Sequence, residues 1–279
     1  MNLNDIKIVT DSSADMLSLE KVNFTSAPLK IITSEKEYVD DENIDVDAFI
    51  DDLDKNKDKV TTACPSSQDW LNAFGDAKCV FCITITSNLS GAYNSAVVAK
   101  KEYEEKNAGS RVHIFDSLST GPECKLIAEK IQELAMDGKS MDEIIEIVEN
   151  YMKKTHLMFM LESVKNLKNN GRVSPILAKI IGVLGIRLVG KASDQGTLEV
   201  LSKVRGEKHA LSNLVDHIKK LGYNGGKLRI AHCRNVEVAN KLKDKLKELF
   251  ADADIEIYPT RALCSFYAEK GGLLVGFEG

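Results

Sequence analysis

Two kinds of hydrophobic spacing divide the chain. Up to Phe115, short β-branched and aromatic runs alternate with helix-length segments, the pattern of a parallel sheet with crossover helices. The runs predict strands at Lys7–Thr10, Cys79–Thr86 and Val112–Phe115, with a further one at Ala27–Ile32. The segment KSMDEIIEIVENYMKK predicts a helix: Ile144, Ile145, Val148, Tyr151 and Met152 share a face, and Ser140 with Glu143 forms a capping box. HLMFMLES (His156–Ser163) then reads as a strand that opens a different region. A short helix ending at Asn170-Gly171 follows, and Ser174-Pro175 begins another. Strands are predicted at Thr197–Val204 and Lys227–Cys233, and Val238, Leu242, Leu246 and Leu249 mark one face of a later helix. Strict alternation is lost here. The expected architecture is α/β with two domains: residues 1–155 around a mostly parallel sheet, and residues 156–279 as an α+β domain.

The chain has 279 residues, 43% hydrophobic and 28% charged, which is ordinary usage for a folded soluble domain. A net charge of −5 gives no basic face for neutralising phosphates, so nucleic acid is not the expected partner. Cys79 and Cys82 match C-x-x-C, but in a strand positions i and i+3 face opposite ways, so both read as core thiols. The most apolar window, Val173–Gly190, is interrupted by Lys179 and Arg187 and fails as a membrane span. No export signal is visible at the start of the sequence, and a cytoplasmic location is expected. Neither G-x-x-x-x-G-K-[ST] nor G-x-G-x-x-G occurs, and no His/Cys spacing suggests a metal, so neither cofactor nor metal is expected.

Four loops carry the candidate chemistry: DSSAD (Asp11–Asp15), TTACPSS (Thr61–Ser67), SNLSGAY (Ser87–Tyr93) and DSLSTG (Asp116–Gly121). Each can cap a helix. Together they suggest a polar site at the carboxyl ends of parallel strands. A hydroxyl-lined helix start holds a carboxylate without cationic help, because backbone amides and the helix dipole favour negative charge. A serine hydrolase would use Ser90 as nucleophile, with His232 the best-placed of five histidines as base, but G-x-S-x-G is missing. Apolar residues surround most of the predicted helix from Ser174 to Gly185. It is therefore either buried between domains or the wall of an apolar cavity.

The ordered motifs IVTDSSADM, APLKI, EYVDDENI, TTACPSS, SNLSGAYNSA, FDSLSTG and LKNNGRVS make the whole chain resemble the DegV family of bacterial lipid-binding proteins. The resemblance implies two α/β domains that bury a long-chain fatty acid between them, with no catalysis by this chain itself. It also implies an acyl-carrying role for an ATP-dependent fatty-acid kinase as partner. Carried over residue by residue, Thr62 and Ser90 would hold the carboxylate. Arg172 would lie near it or dock the partner, and Arg205 would belong to the partner surface. The sequence departs from the family pattern at Ala63-Cys64, Ala92, Asn170, Arg187-Leu188 and Tyr267, the last standing roughly where histidine is common. An esterase or thioesterase using Ser90, and a regulatory lipid sensor, remain the alternative functions. A monomer is the default expectation.

Overall fold

The computed structural model describes residues 2–173 and 185–279. The first half runs β1 (Ile6–Asp11), β2 (Asn23–Ala27), β3 (Lys30–Ile32), β4 (Glu37–Val39), α1 (Val46–Lys55), β5 (Thr61–Ala63), α2 (Ser67–Phe74), β6 (Cys79–Thr84), α3 (Ala92–Lys106), β7 (Arg111–Asp116), α4 (Pro122–Met136) and α5 (Met141–Met152). Among the described residues, the rest comprises β8 (Thr155–Leu161), α6 (Lys165–Asn169), β9 (Ile186–Ala192), β10 (Leu198–Arg205), α7 (Glu207–Lys220), β11 (Lys227–His232), α8 (Val236–Leu249), β12 (Asp254–Pro259), α9 (Ala262–Ala268) and β13 (Leu273–Glu278).

Strands β2-β1-β6-β7 form an all-parallel sheet. The central strand β6 (CVFCIT) is an almost continuous apolar run because helices cover both faces of the sheet. Val9, Val80 and Cys82 pack with Trp70, Phe74 and Tyr103 of α2 and α3, whereas Ile8, Phe81 and Cys79 face α4 and α5. Cys79 and Cys82 therefore point to opposite faces and both are free thiols. The Ser140–Glu143 capping box forms, with the Ser140 amide donating to Glu143 Oε2 at 2.8 Å and the Glu143 amide to Ser140 Oγ at 3.3 Å.

The second domain is built on a mixed six-stranded sheet, β10-β9-β8-β13-β11-β12. Met158 and Met160 face a core shared with α7 and α8, while Leu157, Phe159 and Leu161 face the first domain. HLMFMLES thus lacks polar alternation because both sides of β8 are covered. A small antiparallel sheet, β4-β3-β5, carries Ile31 and Tyr38 onto the same interdomain core as Phe159 and Phe266. On another side α4 bridges to the large sheet through Arg229–Glu129 at 2.9 Å and Lys125–Glu256 at 2.7 Å.

Three expectations change. The strand expected over Ala27–Ile32 is split: β2 ends at Ala27, and β3 begins at Lys30 in a different sheet. Pro28, between them, has no amide to continue a ladder. Leu249 is half-exposed rather than on the buried face of α8, and the next residue, Phe250, packs against that core in its place. The strand expected over Cys79–Thr86 stops at Thr84, and Ile85 and Thr86 enter a loop. Of the helix predicted from Ser174 to Gly185, residues 174–184 lie outside the described residues.

Candidate functional site

A cavity of about 340 Å³ lies where the two domains meet. Three of the four polar loops reach it: Thr62–Cys64, Ile85, Thr86 and Leu89–Gly91, and Ser119–Thr120 line its wall. The 85–91 and 119–120 loops leave the carboxyl ends of β6 and β7, the position that a parallel sheet offers to ligands. The fourth loop, Asp11–Asp15, does not line the cavity. The opposite wall is mostly apolar, with Leu157, Phe159 and Leu161 from β8, Leu274 from β13, and Leu263 and Ala268 from α9.

The structure brings Thr62, Ser90 and Arg172 together at this cavity; Arg205 is not with them. Thr62 sits mid-strand in β5, opposite Ile31 of β3. Its hydroxyl lies 2.8 Å from the hydroxyl of Tyr267, which α9 brings from the second domain. Ser90 lies in the turn entering α3, and its Oγ accepts the Ala92 amide at 3.2 Å. That leaves the Ser90 hydroxyl hydrogen free to donate. Gly91 leaves room for Cys64, since a Cβ there would come within 3.1 Å of Cys64 Sγ.

Arg172 is aimed by the end of α6. Gly171 adopts φ +70°, and the Arg172 amide closes back on the Leu167 carbonyl at 2.8 Å. The guanidinium then donates through Nε to the Leu89 carbonyl at 3.0 Å and through Nη1 to the Asn170 carbonyl. It is thereby fixed beside the Ser90 loop. Arg205 ends the edge strand β10, opposite Ile186 and exposed to solvent.

Among the described lining residues, Arg172 is the only charged side chain and none is a histidine. His232 ends β11, as expected, but its Nδ1 accepts the Asn235 amide at 3.3 Å, and burial pushes its pKa down. Ser90 therefore has no histidine base among the described residues that share its cavity. Burial pushes the Tyr267 phenol up, against the opposing effects of the Thr62 hydrogen bond and the Arg172 charge, so it stays a neutral donor at physiological pH. The polar end thus presents hydroxyls and one guanidinium to an otherwise apolar chamber. Such a set suits an acceptor-only group attached to a hydrocarbon.

Tyr267 joins the site through a contact that spans 205 positions in sequence, so no local pattern announced it. The β9–β10 hairpin is a second such feature: the strand expected over Thr197–Val204 is its β10 arm, but β9 and their pairing were left unmarked. Gly196, at its tip, has φ +70°, and a Cβ there would overlap Thr86 Oγ1 at 2.1 Å. The Asn88 amide side chain also donates to the Gln195 carbonyl at 2.7 Å. The hairpin is thus seated directly on the first domain's loops, beside the cavity.

Fold and site define a class: a two-domain α/β protein with an interdomain apolar chamber closed at one end by hydroxyl donors. The chain matches the family model described as "Uncharacterised protein, DegV family" over residues 5–278 and belongs to that family. It is 42% identical over 276 residues to a DegV domain-containing protein of Streptococcus pneumoniae, covering 98% of each chain. A DegV family protein from Eubacterium eligens, solved loaded with heptadecanoic acid, superposes with a TM-score of 0.96 at 41% identity, covering 98% of this chain and 99% of that one. The fatty acid kinase (Fak) B3 protein of S. pneumoniae, solved loaded with linoleic acid, gives a TM-score of 0.96 at 42% identity, with the same coverage.

Proposed function

We propose that this protein binds one long-chain fatty acid, burying the tail among Leu157, Phe159, Leu161 and Leu274. Thr62, Ser90 and Tyr267 hold the carboxylate, with Arg172 alongside. The observation that carries this reading is the division of the cavity: donors at one end and hydrocarbon elsewhere, with no acid or histidine among its described lining residues. The fatty acids in the two relatives named above support it. Each buried methylene contributes roughly 0.8 kcal/mol, so about fifteen supply roughly 12 kcal/mol before association costs. The hydroxyls therefore select and orient the carboxylate more than they drive binding.

In this reading the chain performs no covalent step. It shields the acid in the cytoplasm and presents the carboxylate to a fatty-acid kinase, and the exposed Arg205 belongs to the docking surface. We put the domain boundary after residue 155, with residues 156–279 as the second domain.

Discrimination between oleic acid and oleyl alcohol, measured by displacement of a fluorescent fatty acid, tests the carboxylate site. The wild type is expected to prefer the acid. Thr62→Ala/Ser90→Ala is expected to lose about 10²-fold or more of that preference, because hydrogen bonds to a charged group contribute about 1.5–3 kcal/mol each. Equal preference in the two proteins would overturn the assignment of these two hydroxyls.

A further inference from the structure

Two acidic motifs, Asp11–Asp15 and the Asp40-Asp41 pair after β4, contribute nothing to the cavity lining. They converge instead on the start of α9. The Arg261 amide donates to Asp15 Oδ1 at 2.6 Å, the Ala262 amide to Asp40 Oδ1 at 3.1 Å, and the Leu263 amide to Asp40 Oδ2 at 3.0 Å. The first turn of a helix leaves its amides without intrahelical acceptors. Arg261 precedes this helix and caps none of them with its own side chain. The acceptors come from the other domain, more than 220 positions earlier in the chain.

The two motifs form one body. The Asp40 amide donates to the Leu29 carbonyl at 2.9 Å, and the Leu29 amide donates to Ser12 Oγ at 3.0 Å. The Cys264 thiol donates to the Ser13 carbonyl at 3.3 Å, and an Arg261 guanidinium nitrogen donates to the Asp41 carbonyl. Asp40 is 1% exposed and Asp15 8%. Carboxyl groups are rarely left this dry without specific partners.

The same helix places Leu263, Cys264, Tyr267 and Ala268 in the cavity wall. Its position against the first domain decides whether the Tyr267 hydroxyl meets Thr62. We propose that Asp15 and Asp40 are positioning residues for the lipid site, clasping α9 across the domain interface so that Tyr267 meets Thr62 and the chamber stays closed over its occupant. This rests on the fatty-acid reading above.

The clasp has a pH signature. Asp15 faces Asp40, Arg261, the thiols of Cys264, Cys124 and Cys233, and the Tyr258 hydroxyl. Burial is the largest influence and lifts its carboxyl to about 8, while Asp40 is also raised by burial. Opening the interface returns Asp15 to water and to the ordinary carboxyl range, so the closed state holds the extra proton. Closure is therefore favoured at low pH, weakens as pH rises towards 8, and changes little beyond it.

The test loads the protein with cis-parinaric acid and measures its release from pH 6 to 9, alongside amide hydrogen exchange of residues 261–263 in lipid-free protein. Wild-type release is expected to quicken about fiftyfold between pH 6 and 8 and then level off. Asp15→Asn, which keeps the acceptor and cannot ionise, is expected to release more slowly than the wild type at pH 8 and with a shallower pH slope, the remaining slope coming from Asp40. Asp40→Asn, which has one acceptor for two amides, is expected to release faster throughout and to lose protection at Ala262 and Leu263. A wild-type pH slope that persists in Asp15→Asn, or wild-type protection in Asp40→Asn, would overturn the clasp. Failure of any form to take up cis-parinaric acid would instead refute the fatty-acid reading, and the hydrogen-exchange arm would still decide the clasp.

Discussion

Glu123, in the first turn of α4, shows how single residues couple this fold to pH. It is 6% exposed and accepts the Thr155 hydroxyl at 2.7 Å. Burial lifts its carboxyl from 4.5 to about 7. The folded state therefore holds this proton more tightly than the unfolded chain does. The stability that results is full below pH 4.5 and is lost as pH rises through 7. Glu123→Gln cannot ionise, so it should gain on the wild type by about 2–3 kcal/mol between pH 5 and pH 8.5. Urea unfolding at the two pH values measures that gain, and Asp11 and Asp15, which are present in both proteins, cancel in the difference. Parallel behaviour of the two proteins would show that Glu123 is solvated in the native state.

At the scale of elements, β8 and β9 shape the chamber together. Phe159 pairs with Gly190, and a Cβ at Gly190 would come within 2.3 Å of the Phe159 ring and 2.4 Å of the Glu199 carbonyl. The glycine lets the ring lie back against the sheet. Gly190→Ala should push the ring into the chamber, lowering thermal stability and shifting the bound lipids towards shorter chains, as read by mass spectrometry of extracted lipid. An unchanged chain-length profile would mean that Phe159 does not limit the tail.

Elements with a regular period or a capping signature were legible in the sequence, and so were the parallel strands β6 and β7, which carry two of the three site loops. β13 was not, because LLVGFE is a short apolar run without alternation, buried between β8 and β11. The helix α4 also escaped, because its charged residues, Glu129 and Lys125 among them, face the second domain rather than water. At the site, Thr62, Ser90 and Arg172 were legible from motif resemblance. Their convergence, and the partnership of Thr62 with Tyr267, depends on long-range packing that no local spacing encodes. The Asp11–Asp15 loop was read as part of a polar site because capping and binding use the same residues. It caps, but across the interface.

For the whole molecule, the two domains meet through chemically different contacts. Around α4 the junction is ionic, and Arg229, 6% exposed, is shared by Glu129, Asp254 and Glu256. Arg229 and Glu129 are the most buried pair of this set, and removing either is costly, so this side acts as a fixed seam. Near α9 the contacts are hydrogen bonds to a seven-residue helix next to the chamber. An acyl chain between the domains adds apolar contact to both, so occupancy and domain closure should be linked. The most direct measurement is mass spectrometry of lipid extracted from the purified protein, before and after incubation with oleic acid. About one fatty acid per chain is expected, either carried through purification or taken up on incubation. Protein that is empty as purified and stays empty with oleic acid would contradict the fatty-acid reading.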